Sequence, residues 1–68
     1  MFIVRDTDKD VFKWKYGEPG EWEKIGDDAA KIIYCNGTLI KHCDIHNNFW
    51  TWNGYGNNWN YLPMKIYK

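Results

Sequence analysis

The residue types best suited to chemistry cluster at His42, Cys43, Asp44 and His46, a run carrying the nitrogen, sulfur and carboxylate donors that bind zinc. Its spacing works against a metal site. His42 and Cys43 are neighbours on a predicted strand, so their side chains leave opposite faces, and only Cys35 offers a further donor of the right kind. The same run offers Cys43 as a nucleophile with a histidine as base, but no orienting group stands at a recognisable spacing. Asp6, Asp8 and Asp10 alternate as in the opening of a calcium loop, yet Val11 stands where that loop needs glycine and Gly17 where it needs glutamate. There is no serine in the chain and no glycine-rich phosphate loop before a helix. The expectation is a protein that is not an enzyme and uses no metal or cofactor.

Carbohydrate chemistry is better supplied. Sugars present flat C–H faces rimmed with hydroxyls, so a pocket for them needs an exposed ring and convergent amides or carboxylates. The chain has five Trp, five Tyr and three Phe, many of them beside asparagines. The candidate ligand-binding residues are Trp14, Trp22, Trp52, Trp59, Asn53 and Asn58. A plainer reading stands beside this one: the aromatics are packing residues and the asparagines form turns.

Strands must position these groups. Lys31-Cys35, Thr38-Cys43, Phe49-Gly54 and Asn58-Leu62 read as a four-stranded antiparallel meander, the size of one propeller blade. Asn36-Gly37 suits a two-residue type I′ hairpin, in which both positions need positive φ. Asn36-Gly37-Thr38 also matches a glycosylation sequon, but the turn accounts for it. Asp44-Ile45-His46-Asn47-Asn48 and Tyr55-Gly56-Asn57 supply the other two turns. Upstream, Met1-Arg5, Val11-Tyr16 and Glu21-Ile25 read as strands, separated by an aspartate-rich turn and by Gly17-Glu18-Pro19-Gly20. Asp27 to Lys31 has no periodic apolar face and reads as a connecting loop.

The two halves repeat. Asp6 falls on Asp44, Asp10 on Asn48, Val11 on Phe49, Phe12 on Trp50 and Trp14 on Trp52. With one residue less in the next turn, Trp22 falls on Trp59 and Ile25 on Leu62. After a loop shorter by three, Lys31-Ile32 falls on Lys65-Ile66. Self-similarity at a period of about 37 to 38 residues marks a repeat architecture. Residues 31–62 form one whole unit. The other is split, with three strands in residues 1–25 and its first strand at 64–67. Two units cannot close a ring, so the expected architecture is all-β, with two four-stranded propeller-like blades per chain. Strand 64–67 of one protomer completes the blade of its neighbour in a homo-oligomeric ring. Rings of two, three or four chains are allowed, and the trimer is favoured. The alternative is a monomeric seven-stranded sheet or small barrel with its end strands paired.

Asp10-Val11-Phe12-Lys13-Trp14 with Trp22-Glu23-Lys24-Ile25-Gly26, and the echo Asn48-Phe49-Trp50-Thr51-Trp52-Asn53-Gly54 with Trp59-Asn60-Tyr61-Leu62, resemble the blade repeat of tectonin and tachylectin β-propeller lectins. The resemblance covers nearly the whole chain through a short, degenerate motif. It implies glycan recognition in pockets between neighbouring blades, without metal or catalysis. The second repeat departs from the pattern at Pro63, where the first continues as Gly26-Asp27.

Composition sets the remaining bounds. Nine basic residues balance nine acidic ones, which argues against a broad footprint for nucleic acid or for anionic membrane. No run approaches the ~20 apolar residues that span a bilayer, and Phe2-Ile3-Val4 is too short for a secretory h-region. In the predicted hairpin Cys35 faces Thr38 and Cys43 faces Ala30, more than ~15 Å apart, too far for a disulfide. Free thiols fit a cytoplasmic location. Two further functions are compatible with these features: a small protein-interaction or inhibitor module, a virus being one source, and a ring that sequesters a small aromatic ligand.

Overall fold

A computed structural model of the chain describes residues 1–43 and 45–63. Over those residues the protein is all-β, and no helix is long and apolar enough to cross a membrane. Strands β1 (Phe2–Arg5), β2 (Asp10–Lys15) and β3 (Glu21–Gly26) form a three-stranded antiparallel sheet in that order. Strands β4 (Ala29–Cys35), β5 (Thr38–Cys43), β6 (Phe49–Trp52) and β7 (Trp59–Leu62) form a four-stranded one. The end strands β1 and β7 belong to different sheets, so the described residues do not form a single seven-stranded sheet or a barrel closed by its ends. Residues 64–67, expected to complete the first unit, lie outside the described residues, as does Asp44.

The turns follow from their residues. Asn36 and Gly37 both take positive φ, 52° and 76°, the backbone a type I′ hairpin requires, and Cys35 pairs with Thr38 across it. Two expectations are corrected here. The connection between the sheets is only Asp27 and Asp28, because Ala29, Ala30 and Lys31 already belong to β4. Ala29 is fully buried, and its N–H donates to the Lys9 carbonyl at 3.0 Å. A register shift between Ala29 and Lys31 also makes Ala29, not Ala30, the partner of Cys43. Cys35 and Cys43 are free, one exposed and one buried, at opposite ends of the β4–β5 hairpin.

The two sheets pack face to face over Val11, Ile25, Ala29 and Leu39, with Phe2, Val4, Ile32, Trp52 and Trp59 against them. Side chains alternate along a strand, and cross-strand partners share a face. On the three-stranded sheet the face toward the core therefore carries Phe2, Val4, Val11, Lys13 and Glu23. Its outward face carries Ile3, Arg5, Phe12, Trp14, Trp22 and Lys24. On the four-stranded sheet the face toward the core carries Lys41, Cys43, Trp50, Trp52, Trp59 and Tyr61. Ile40, His42, Phe49, Thr51 and Asn60 point away.

The pairing register repeats along with the sequence. Ile3 pairs with Phe12 as Lys41 pairs with Trp50, and Val4 pairs with Val11 as His42 pairs with Phe49. Trp14 pairs with Trp22 as Trp52 pairs with Trp59. Even the left-handed turn residues correspond, Lys9 at φ 62° and Asn47 at φ 53°. The strands β1-β2-β3 and β5-β6-β7 are thus equivalent, and β4 is the strand the first sheet lacks among the described residues.

Candidate functional site

The best-equipped concavity lies at the junction of the two sheets, a pocket of about 280 Å³. The two-residue connector lines it with Asp27 and Asp28. The four-stranded sheet contributes Lys41, Trp50 and Trp59, and the turns add His46 and Asn57. Alternation on β5 puts Lys41 on the same face as buried Leu39 and Cys43, which draws the lysine inward to 7% exposure. Its ammonium then needs partners. Nζ donates to the Asp27 carbonyl at 2.9 Å, lies 3.9 Å from the Asp27 carboxylate, and sits 4.8 Å from the centroid of the Trp59 ring.

Trp59 is fixed at both ends. Its Nε1–H donates to the Ile25 carbonyl at 2.7 Å, and its ring lies flush against Gly26. A Cβ at Gly26 would fall 2.8 Å from the ring, so the absence of a side chain there is what lets the indole enter. Trp50 Nε1–H donates to Asn48 at 3.0 Å, and its ring meets Tyr61 edge-on. The result is a pocket with two immobilised indoles, two carboxylates, a buried ammonium and a turn amide. Its indole edges and polar groups can meet a ligand that is part apolar and part hydroxylated.

The structure scatters the other residues singled out from the sequence. Trp52 lies between the sheets, 5.8 Å from the Phe2 ring, with its Nε1–H on the Gly56 carbonyl. Trp14 and Trp22 pair edge-to-face at 5.1 Å on the outward face of the other sheet, away from the pocket. Asn53 accepts from Asn60, and Asn58 donates to the Tyr55 carbonyl at 2.9 Å, so both brace the β6–β7 turn. Of the six, Trp59 alone lines the pocket. Lys41, Trp50, Asp27, Asp28 and Asn57 were missed. The readable signal was the alternation Leu39-Lys41-Cys43, which puts a charge on a buried face. The connector aspartates had no local signature.

His42 faces away from Cys43, stacks on Phe49 at 4.8 Å and bonds Asn47 through Nε2 at 2.6 Å. Among the described residues no group of three or more His, Cys, Asp or Glu side chains is placed to hold a metal ion. Comparison with known proteins finds that no family model, no curated protein and no solved structure matches the chain.

Proposed function

We propose that the chain is a non-enzymatic, lectin-like carbohydrate-binding module acting as a ring of several copies, three in the favoured form. The observation that carries the reading is the pocket at Trp59, where two held indoles meet carboxylate, amide and ammonium groups around a volume of about 280 Å³. The resemblance to tectonin-type blades supports it, since those proteins take glycans between neighbouring blades. In this reading the first sheet is a blade short of its innermost strand, supplied by residues 64–67 of a neighbour. The support is that among the described residues β1 pairs on one side only, with an apolar pocket of about 360 Å³ lined by Phe2, Ile32 and Tyr34 beside it. One site per chain on a ring raises avidity without new contacts.

A glycan array followed by titration on tryptophan fluorescence tests the reading. Asn57→Ala and Asp28→Gly should each weaken binding by about tenfold, the worth of one hydrogen bond to a ligand. Glycine suits position 28 because Asp28 has a φ of 53°. No binding to any glycan at millimolar concentration would remove the proposal. A blank array would favour the protein-interaction alternative, for which the exposed Tyr16 and Trp22 speak.

A further inference from the structure

The contact between the two sheets joins unlike faces, and each chain carries both of those faces a second time, outside that contact. Inside the chain, the Phe2-Val4-Val11 face of the first sheet lies on the Trp52-Trp59 face of the second. By the shared register, the first sheet's outward face, with Ile3, Phe12, Trp14 and Trp22, is the equivalent of the Trp52-Trp59 face. The second sheet's outward face, with Ile40, Phe49 and Thr51, is the equivalent of the Phe2-Val4-Val11 face. On the first sheet's outward face Trp22 is 42% exposed and Ile3 38%; on the second's, Ile33, the cross-strand partner of Ile40, is 49% exposed beside Phe49, which His42 covers. Clusters of this kind mark interaction surfaces.

We propose that a second copy of this chain docks its Phe49 face onto the Trp14-Trp22 face, repeating between chains the packing that joins the sheets within one. The contact is heterologous, so it propagates and closes only as a ring. It assigns named neighbours. Ile40 of the second copy meets Trp14 as Phe2 meets Trp52, and Trp22 reaches the Leu62-Pro63 end of the second copy's β7 as Trp59 reaches Ile25 and Gly26. Pro63 stands where Gly26 does, and since a Cβ at Gly26 would meet Trp59 at 2.8 Å, Trp22 must sit further out over Pro63 than Trp59 does over Gly26.

The inference rests on the ring of the proposed function but not on its ligand. Ile3 and Arg5 occupy the junction positions held by Lys41 and Cys43 in the pocket, so the junction repeats the packing and not the sugar site.

Light scattering during size-exclusion chromatography of the whole chain tests it with two variants. Trp22→Arg spoils one face and Thr51→Arg the other, and near-ultraviolet circular dichroism checks that each remains folded. The wild type should run as an oligomer, and each variant alone as the 8.2 kDa chain. An equimolar mixture should regain one good contact and run at about twice that mass. A wild type of single-chain mass overturns the proposal, as do a folded variant that keeps the wild-type mass and a mixture that fails to associate. Because the pocket is built within one chain, the single-chain variants should keep their affinity for any monovalent glycan found on the array. Assembly and sugar binding can thus fail separately.

Discussion

On the four-stranded sheet, Trp52 and Trp59 lie beneath the other sheet, one against Phe2 and the other bonded to the Ile25 carbonyl. On the three-stranded sheet, Trp14 and Trp22 hold the same ladder positions with none of the chain's described residues packed above them as a second sheet. The ladders match, so local pairing cannot explain the different surroundings. What differs is the rest of the sequence. Gly26 and the short Asp27-Asp28 connector bring a sheet down onto one tryptophan face, and the other has no sheet over it among the described residues.

Truncating the two equivalent indoles should give the largest effect. Trp59→Ala removes a buried hydrogen bond and leaves a hole beside Ile25, so it should cost about 3 kcal/mol or more. Trp22→Ala, at a residue 42% exposed, should cost about 1 kcal/mol in the isolated chain. Urea unfolding at a concentration low enough to keep chains apart measures the gap. Equal losses would mean that the two faces are not differently covered. Under conditions of assembly the gap should narrow, as Trp22 acquires its own cover.

The two glycines that lie against tryptophans sharpen the point. A Cβ at Gly20 would come within 2.3 Å of Trp14, closer than the 2.8 Å separating a Cβ at Gly26 from Trp59. Distance alone would make Gly20→Ala the worse change. The Trp59 indole is tied to Ile25 and cannot yield, whereas Trp14 has an open side to turn toward. Gly26→Ala should therefore cost about 2 kcal/mol by overpacking and Gly20→Ala less. The reverse order in thermal unfolding would mean that Trp14 is already fixed.

Much of this fold was readable in advance, and the reasons are local. Asn36-Gly37 demands its turn, and the alternation in Val11-Tyr16 and Thr38-Cys43 reports which residues share a face. The spacing of Trp14, Trp22, Trp52 and Trp59 foretold the repeated register. The start of β4 was not readable, because Ala29 joins the sheet through a bond to Lys9 and burial beneath Val11, contacts distant in sequence. The pocket was only half readable for the same reason: Trp59 was singled out from its type, while Asp27 and Asp28 become wall residues only once the sheets stack. Asn53 and Asn58 looked like ligand groups by composition and prove to be bonded within their own turn.

Lys41 and Ile3 stand at equivalent positions on the covered and the open face. Lys41→Met keeps the stem over Trp59 and loses the bond to the Asp27 carbonyl. It should cost about 1 kcal/mol and weaken glycan binding. Ile3→Lys, facing outward, should leave the isolated chain's stability nearly unchanged while impairing self-association. Equal destabilisation in urea would contradict the assignment of the two faces.

The smallest expected effect concerns Arg5, which holds on the open face the position that buried Cys43 holds on the covered one. Its guanidinium bonds the Asp8 carboxylate, with Nε 3.1 and 3.0 Å from the two oxygens, and stacks 4.8 Å from the centroid of Phe12. The hydrogen bond from Arg5 holds the Asp8 carboxyl down to about 2, below its usual 3.8, against a weaker opposing effect of desolvation. Because the folded chain holds this proton more weakly than the unfolded chain does, the contribution is complete above the ordinary carboxylate range. It is lost as pH falls through about 2. Both groups lie in water, so the effect on stability is slight. A carboxyl titration followed by NMR should find Asp8 still ionised at pH 3, and Arg5→Leu should return it toward its ordinary value. An Asp8 that already titrates normally in the wild type would detach Arg5 from the turn, leaving the cation free on the face where a second copy is proposed to dock.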